Sequence, residues 1–166
     1  MNKTAIYPGT FDPVTHGHVD LIKRGIKTFD KLIVAVAHNP GKNPLFTVSE
    51  RVDMLKEITK DMKNVEVDDF GGLLVDYVHI KGANVVLRGI RAFSDFEYEF
   101  QMALTNRKLS PETETIFMMP NESFSYVSSK IIKQIASMNG DISKFVPEVV
   151  GKYLKKKVNK GFKLLV

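Results

Sequence analysis

Short apolar runs alternate along the chain with longer stretches whose apolar residues recur at helical spacing. The strand-like runs are Thr4–Tyr7, Leu32–Ala37, Val65–Asp68, Asn84–Leu87 and Thr115–Met119. Helical periodicity fills the gaps near 17–29, 49–62, 72–81 and 95–108, and two further helices are expected near 128–138 and 147–157. Start signals accompany several of these. Thr47-Val48-Ser49-Glu50 and Ser94-Asp95-Phe96-Glu97 both have the capping-box spacing, in which a hydroxyl and a carboxylate each satisfy a free N–H of the first turn. The former begins within one residue either way. Pro147 suits the first turn of the last helix.

Alternating strands and helices, with central strands apolar throughout, predict an α/β fold. We expect a single-domain, doubly wound (Rossmann-like) sheet of five parallel strands with helices on both faces. The domain is expected to span 1–158, with 159–166 as a basic tail that packs or frays. In such folds ligands sit beyond the carboxyl ends of the strands, where the strand order reverses. Polar and glycine-bearing segments fall there: Thr10 to His18 after strand one, Lys42 after strand two, Arg88-Gly89-Ile90-Arg91 after strand four, and Asn121 to Lys130 after strand five. Four loops are thus expected to converge on one rim.

Composition changes this picture in two places. The 166 residues include no cysteine, which excludes disulfides and thiolate metal sites. The formal charge of +5 invites a nucleic-acid reading, but six lysines (Lys152, Lys155, Lys156, Lys157, Lys160 and Lys163) crowd the end of the chain. Without them 18 basic residues face 19 acidic ones. The body is therefore near neutral, and no nucleic-acid partner is expected. The absence of a membrane-length apolar run or a leader pattern places the protein in the cytoplasm, with no membrane partner.

The richest segment is Tyr7-Pro8-Gly9-Thr10-Phe11-Asp12-Pro13-Val14-Thr15-His16-Gly17-His18. A strand, a glycine-bearing loop and a helix start together make a backbone anion site, because free N–H groups and the helix dipole point at whatever docks there. Thr10 adds a hydroxyl and His18 a ring donor, an arrangement suited to polyphosphate. A lone histidine would read as an incidental part of a capped turn; the glycine spacing reverses that preference. Phe11, inside the loop, is placed to pack against an adenine. His16 and His18 do not read as a zinc pair, since no third and fourth ligand is visible nearby.

The other loops each admit two readings. Lys42 is either solvated surface or a rim cation. Arg88 and Arg91, beside Gly89 at a strand end, suit bidentate phosphate binding, while the plainer alternative is pairing with Asp95, Glu97 or Glu99. Phosphate is preferred for at least one of them. Glu99 either orients a ligand group or pairs with an arginine. Ser123-Phe124-Ser125-Tyr126-Val127-Ser128-Ser129-Lys130 offers hydroxyls and free N–H groups to the terminal phosphates of a nucleotide; Ser128 also fits as a plain N-cap, and the two roles are compatible. The stripe Phe93, Phe96, Tyr98 and Phe100 reads as core or as a subunit contact.

With these residues in place the sequence resembles the bacterial phosphopantetheine adenylyltransferases, within the nucleotidyltransferase superfamily that carries the HxGH signature. The resemblance rests on Pro8-Gly9-Thr10-Phe11-Asp12-Pro13 with Thr15-His16-Gly17-His18, and on Arg88-Gly89-Ile90-Arg91-Ala92 with Asp95-Phe96-Glu97-Tyr98-Glu99. It runs to about Val146-Pro147. It implies transfer of AMP from ATP to 4′-phosphopantetheine, giving dephospho-coenzyme A and pyrophosphate. Carried across by position, it puts Thr10, Phe11, His18, Gly89, Ile90, Arg91, Glu99 and Phe124 to Lys130 (Phe124, Ser125, Tyr126, Val127, Ser128, Ser129 and Lys130) on the ATP side. Thr10, Lys42, Leu74 and Arg88 fall on the phosphopantetheine side. His18, Lys42 and Arg91 are the expected catalytic group. The resemblance further implies Mg²⁺ carried by the ATP phosphates rather than a resident metal, a homohexamer, and inhibition by coenzyme A. Thr15 occupies the place of the first histidine of the superfamily signature, as is usual in this family, and two positions depart from the family pattern itself: Lys130 stands where a serine run commonly continues, and Lys133 where relatives often have arginine.

An acceptor phosphate is already anionic near neutral pH, so no general base is needed. The expected mechanism is in-line attack at the α-phosphorus without a covalent enzyme intermediate. The rival readings are a nucleotidyltransferase with another acceptor, such as nicotinamide mononucleotide or an alcohol phosphate, and a non-catalytic nucleotide-binding regulator.

Overall fold

The computed structural model describes residues 3–159 and Gly161, with the backbone alone at Pro40 and Ser94. Its strands are β1 (Thr4–Gly9), β2 (Lys31–Ala37), β3 (Val65–Phe70), β4 (Val85–Gly89) and β5 (Glu114–Met118). They pair in parallel in the order β3-β2-β1-β4-β5. The helices are α1 (His16–Thr28), α2 (Val48–Thr59), α3 (Leu74–Ile80), α4 (Phe93–Leu109), α5 (Glu122–Ser125), α6 (Ser129–Ser137) and α7 (Glu148–Asn159). The expected five-stranded doubly wound sheet is what forms.

Strand alternation divides the core in two. Ala5, Tyr7, Leu32, Val34, Val36 and Leu87 turn to one face and join Ile22, Leu55, Ile132 and Leu154 from α1, α2, α6 and α7 in the larger cluster. Ile6, Ile33, Ala35 and Val86 turn to the other face, where Tyr77 and Val78 of α3 cover them. The chain winds outward from β1 through β2 to β3, then returns to add β4 on the opposite side of β1. The order therefore reverses between β1 and β4, and a crevice opens at the carboxyl ends of those strands.

The structure revises several sequence boundaries. β4 extends through Arg88 and Gly89, so these residues belong to the strand end rather than to a following loop. Helix α4 starts at Phe93, with Ala92 as an N-cap that makes no side-chain bond, and Ser94 lies inside the helix. The capping box expected at Ser94 is absent; the one at Thr47–Glu50 forms. A 3₁₀ turn at Pro40–Lys42 and the single-turn α5 were too short to carry a periodic signal. Pro147 sits one residue before α7.

Two surfaces bear on the sequence reading, which left the aromatic stripe open between core and subunit contact and expected a helix near 147–157. The aromatic stripe does not enter this chain's core: Phe93 is 92 % exposed and Tyr98 60 %. The C-terminal lysines up to Lys157 are not frayed, because α7 docks through Val150 and Leu154, both fully buried. Lys160 and residues 162–166, the rest of the expected tail, lie outside the described residues. Among the described residues no helix is long and apolar enough to cross a membrane.

Docking of α7 by apolar burial predicts that Leu154→Ala lowers unfolding free energy by about 3 kcal/mol, the usual cost of emptying a filled core site. Chemical denaturation of the variant against wild type checks it; a change within 0.5 kcal/mol, roughly the scale of surface substitutions, would mean α7 is peripheral.

Candidate active site

Helix α1 begins directly below the crevice, and its first turn is closed by an unusual capping box. Thr15 is the N-cap: the His18 N–H donates to Thr15 Oγ1 at 3.3 Å, and the Thr15 N–H donates to His18 Nδ1 at 2.9 Å. A histidine thus stands where Glu or Gln normally completes the box. Because Nδ1 accepts, it carries no proton, and the neutral ring bears its N–H on Nε2. Burial, reinforced by the nearby Arg91 and Arg88, pushes the His18 pKa down to about 4. His18 is a neutral donor fixed in one tautomer.

Phe11 explains that rigidity. Its backbone is left-handed (φ 50°), and its ring packs edge-on against Tyr7 at 5.4 Å and His18 at 5.1 Å. A β-carbon on Gly9 would come within 2.8 Å of the ring, so only glycine fits there. Phe11 is 2 % exposed. The adenine-packing role expected of its ring gives way to a supporting one, and what the residue offers a ligand is main chain.

Three groups hold the loops in place; the sequence reading gave Asp12 and Arg51 no role and expected Ser129 on the ATP side. Asp12, 5 % exposed, accepts the N–H groups of Leu45 (3.0 Å) and Phe46 (2.9 Å), and Lys133 Nζ from α6. Ser129 Oγ donates to Pro13 O at 2.8 Å, a second tie between α6 and the first loop. Arg51, 1 % exposed, donates to the carbonyls of Thr10 (2.8 Å), Ala37 (2.9 Å) and Phe46 (3.1 Å), with longer bonds to Thr47 and His38. Its signal was available in the sequence. Arg51 sits with Val48, Val52 and Leu55 on the apolar side of α2, where a charge needs an explanation.

The cations expected at the rim converge on one cleft of about 990 Å³. Arg88 grips both oxygens of Glu99, through Nε at 2.7 Å and through a terminal nitrogen, and donates to Pro8 O at 2.8 Å. Arg91 bonds to Asp95 at 3.0 Å and to Val127 O at 3.0 Å. Both arginines therefore make the acid pairs weighed from sequence while lining the cleft. Lys42, at the end of the 3₁₀ turn, and Lys130, in the first turn of α6, also line it and have no acidic partner among the described residues. Ser128 caps α6 through the Ile131 N–H at 3.1 Å.

Thr10, His18, Gly89, Phe124, Val127, Ser128, Ser129 and Leu74 stand on the cleft wall with these cations. Gly89 is a close-approach position, since a β-carbon there would lie 2.5 Å from Leu21 of α1. Ile90, Ser125 and Tyr126 are outside the wall. The Ile90 N–H bonds to Met118 O, Ser125 Oγ bonds to Glu122 O, and the Tyr126 ring is exposed. The lining also includes Ala37, Phe70, Leu74 and Met102, together with Tyr98 and Asn106. Among the described residues no three His, Asp or Glu side chains cluster to hold a metal ion.

Comparisons with known proteins fit this geometry. The family model described as cytidylyltransferase-like matches residues 6–135. A phosphopantetheine adenylyltransferase of Caldanaerobacter subterraneus subsp. tengcongensis is 56 % identical over 159 residues, covering 96 % of this chain and 99 % of its own. One from Alkaliphilus metalliredigens is 54 % identical over 155 residues, covering 93 % and 99 %. Among solved structures, a protein described as a nicotinate-nucleotide adenylyltransferase from Vibrio parahaemolyticus superposes with a TM-score of 0.70 at 19 % identity, over 93 % of this chain and 99 % of its own. At that identity the match bears on the fold alone.

Two outcomes follow from the site's construction. Arg51→Met should cost at least about 3 kcal/mol of stability, because several buried carbonyls lose their donor at once; denaturant titration measures it. His18→Ala should lower kcat by about 10²-fold and also Tm, since it removes a donor and a cap together. His18→Gln, which can still accept from Thr15, should restore Tm but not the rate. The depressed pKa adds a sign. Between pH 6.5 and about 4 the unfolded chain binds a proton at His18 that the folded protein refuses. Stability should therefore fall as pH drops through that window, and less so in His18→Gln.

Proposed function

The chain belongs to the phosphopantetheine adenylyltransferases, and from that membership we propose how its cleft carries out the reaction. The enzyme transfers the adenylyl group of ATP to 4′-phosphopantetheine, releasing pyrophosphate and dephospho-coenzyme A, in the penultimate step of coenzyme A synthesis. The observation that carries the site assignment is the meeting of Lys42, Arg88, Arg91, Lys130 and a neutral His18 with two helix N-termini, in one cleft that apolar side chains also line.

We assign the ATP side to the Thr10–Phe11 main chain, Gly89, Arg91 and the α6 N-terminus, where free N–H groups and Lys130 face the phosphates. Lys42 and Arg88 take the acceptor phosphate. The wall of Leu74, Met102, Tyr98 and Asn106 suits the aliphatic, amide-bearing arm of phosphopantetheine. Glu99, bound to Arg88, links the two sides by fixing that guanidinium.

In the reaction an oxygen of the acceptor phosphate attacks the α-phosphorus of ATP in line. The new P–O bond forms as the bond to the β-phosphate bridging oxygen breaks, and the electron pair leaves on pyrophosphate. No enzyme atom bonds to phosphorus and no protein base is needed. Positioning like-charged groups is the main obstacle, so His18, Lys42 and Arg91 act by holding and neutralising. Magnesium arrives as part of the substrate, MgATP, whose ion screens the polyphosphate. In our reading the exposed aromatic face of α4 is a subunit contact of a homohexamer, the protein works in the cytoplasm, and coenzyme A, sharing the pantetheine arm, inhibits by occupying the same cleft.

The direct test is pyrophosphate release from MgATP with and without 4′-phosphopantetheine, the nucleotide product being identified by mass. Acceptor-dependent release with dephospho-coenzyme A is expected; turnover only with nicotinamide mononucleotide would transfer the assignment to that rival acceptor. Arg88→Ala should raise KM for phosphopantetheine more than for ATP, because it removes a cation and strands Glu99 beside an anionic substrate. An equal rise in both would refute the division of sides. The fall of kcat/KM on the acid side should centre near pH 6, where a phosphate monoester takes up its second proton, and should persist in His18→Gln.

A further inference from the structure

Tyr7 lies on β1 just before the Pro8-Gly9-Thr10 turn and forms part of the cleft wall, but the reaction as described gives it no task. The residue is 4 % exposed, and its ring is held edge-on by Phe11. Its hydroxyl reaches across from β1 to β4: a β-carbon built on Gly89 would lie 3.9 Å from the phenolic oxygen. Among the described residues the hydroxyl has no hydrogen-bond partner, in contrast to Tyr77, whose hydroxyl donates to Asp68. The hydroxyl is not sealed in the core, since Thr115 Oγ1 is the one fully enclosed side-chain polar atom without a partner among the described residues; it opens on the cleft, where water or a ligand can accept its hydrogen bond.

Its surroundings define what ligand group it could meet there. The charged groups facing Tyr7 are Arg88, Glu99 and Asp20. Burial raises the phenol's pKa well beyond its ordinary value, and Arg88 only partly offsets this, so the group remains a protonated donor. Arg88 is on the acceptor side of the cleft and Gly89 on the ATP side. The hydroxyl thus reaches the boundary between the two substrates, next to His18 on the other side of the Phe11 ring.

We propose that Tyr7 is a further substrate-contacting residue, its hydroxyl donating a hydrogen bond to a phosphate oxygen where the acceptor phosphate meets the α-phosphate of ATP. The inference rests on the adenylyl-transfer reading. No proton changes hands: the phenol donates a hydrogen bond and keeps its hydrogen throughout. Tyr7 and His18 then approach the reacting phosphates as two neutral donors, each fixed by the same Phe11 ring.

The experiment is Tyr7→Phe, which deletes one oxygen and keeps the ring. Steady-state kcat and both KM values are measured together with Tm, with and without MgATP. Free Tyr7→Phe is expected to melt close to the wild-type temperature, since the hydroxyl bonds no protein group, while kcat falls about 10-fold or more. The rise in Tm on adding MgATP should also shrink. A variant with kcat within twofold of wild type overturns the proposal. So does one that melts well below wild type or fails to fold, because the hydroxyl would then serve the structure. If wild type itself makes no dephospho-coenzyme A, the functional reading fails and the inference fails with it, an outcome separate from an active wild type with an equally active Tyr7→Phe.

Discussion

The buried guanidinium of Arg51 is the constraint on which the loops bordering the cleft depend. It makes no ion pair with a carboxylate among the described residues, and its hydrogen bonds go to main-chain carbonyls. Those carbonyls belong to the loop after β1, the end of β2 with the residue that follows it, and the approach to α2. Three segments that would otherwise move separately share one planar donor. Asp12 is its counterpart of opposite sign, gathering N–H groups from the Lys42-bearing segment and the ammonium of Lys133. A cation satisfies stray carbonyls and an anion satisfies stray N–H groups, so loops at the sheet edge acquire the rigidity of secondary structure without its ladders.

That rigidity determines what His18 does. A histidine free to rotate would titrate near neutrality and bind phosphate as a cation. Here Nδ1 is committed to Thr15, the ring is packed on Phe11, and the two arginines discourage a third positive charge. The cleft gains a donor without gaining charge. Arg88 and Arg91 are moderated in turn by Glu99 and Asp95. A site crowded with unpaired cations would hold pyrophosphate as firmly as it helps form it, whereas paired arginines and neutral donors favour charge that develops during transfer over charge that persists afterwards.

The sequence made the architecture legible because its signals were periodic. Each of the five strands and six longer helices appeared as an apolar rhythm, and the rim followed from parallel-sheet geometry. What it hid was local and non-periodic. The turn bearing Lys42 and the single turn of α5 are shorter than one period. Phe11 looked available to adenine because sequence does not report that Gly9 makes room for its ring. The aromatic residues of α4 were ambiguous for a different reason: polar and apolar residues are mixed around the helix, so its pattern does not tell a buried face from a contact face. Arg51 was visible as a charge on an apolar stripe, but its partners are carbonyls, which every residue has and no sequence pattern marks.

The two departures from the family pattern become intelligible through the same contacts. At Asp12 one oxygen already accepts from Phe46, and the other takes Leu45 together with Lys133. Only a single point of attachment is left for a cation, and the ammonium of Lys133 fits that need without the fork an arginine would bring. Lys130 is harder to justify within the protein alone. It is exposed in the first turn of α6, where the helix dipole disfavours positive charge and no acid of that turn offsets it. A helix whose stability would be improved by an acid at that place, yet carries a lysine, is arranged for an anion that comes from outside. That local conflict supports, on electrostatic grounds separate from any resemblance, the proposal that the ATP phosphates bind at this end of the cleft.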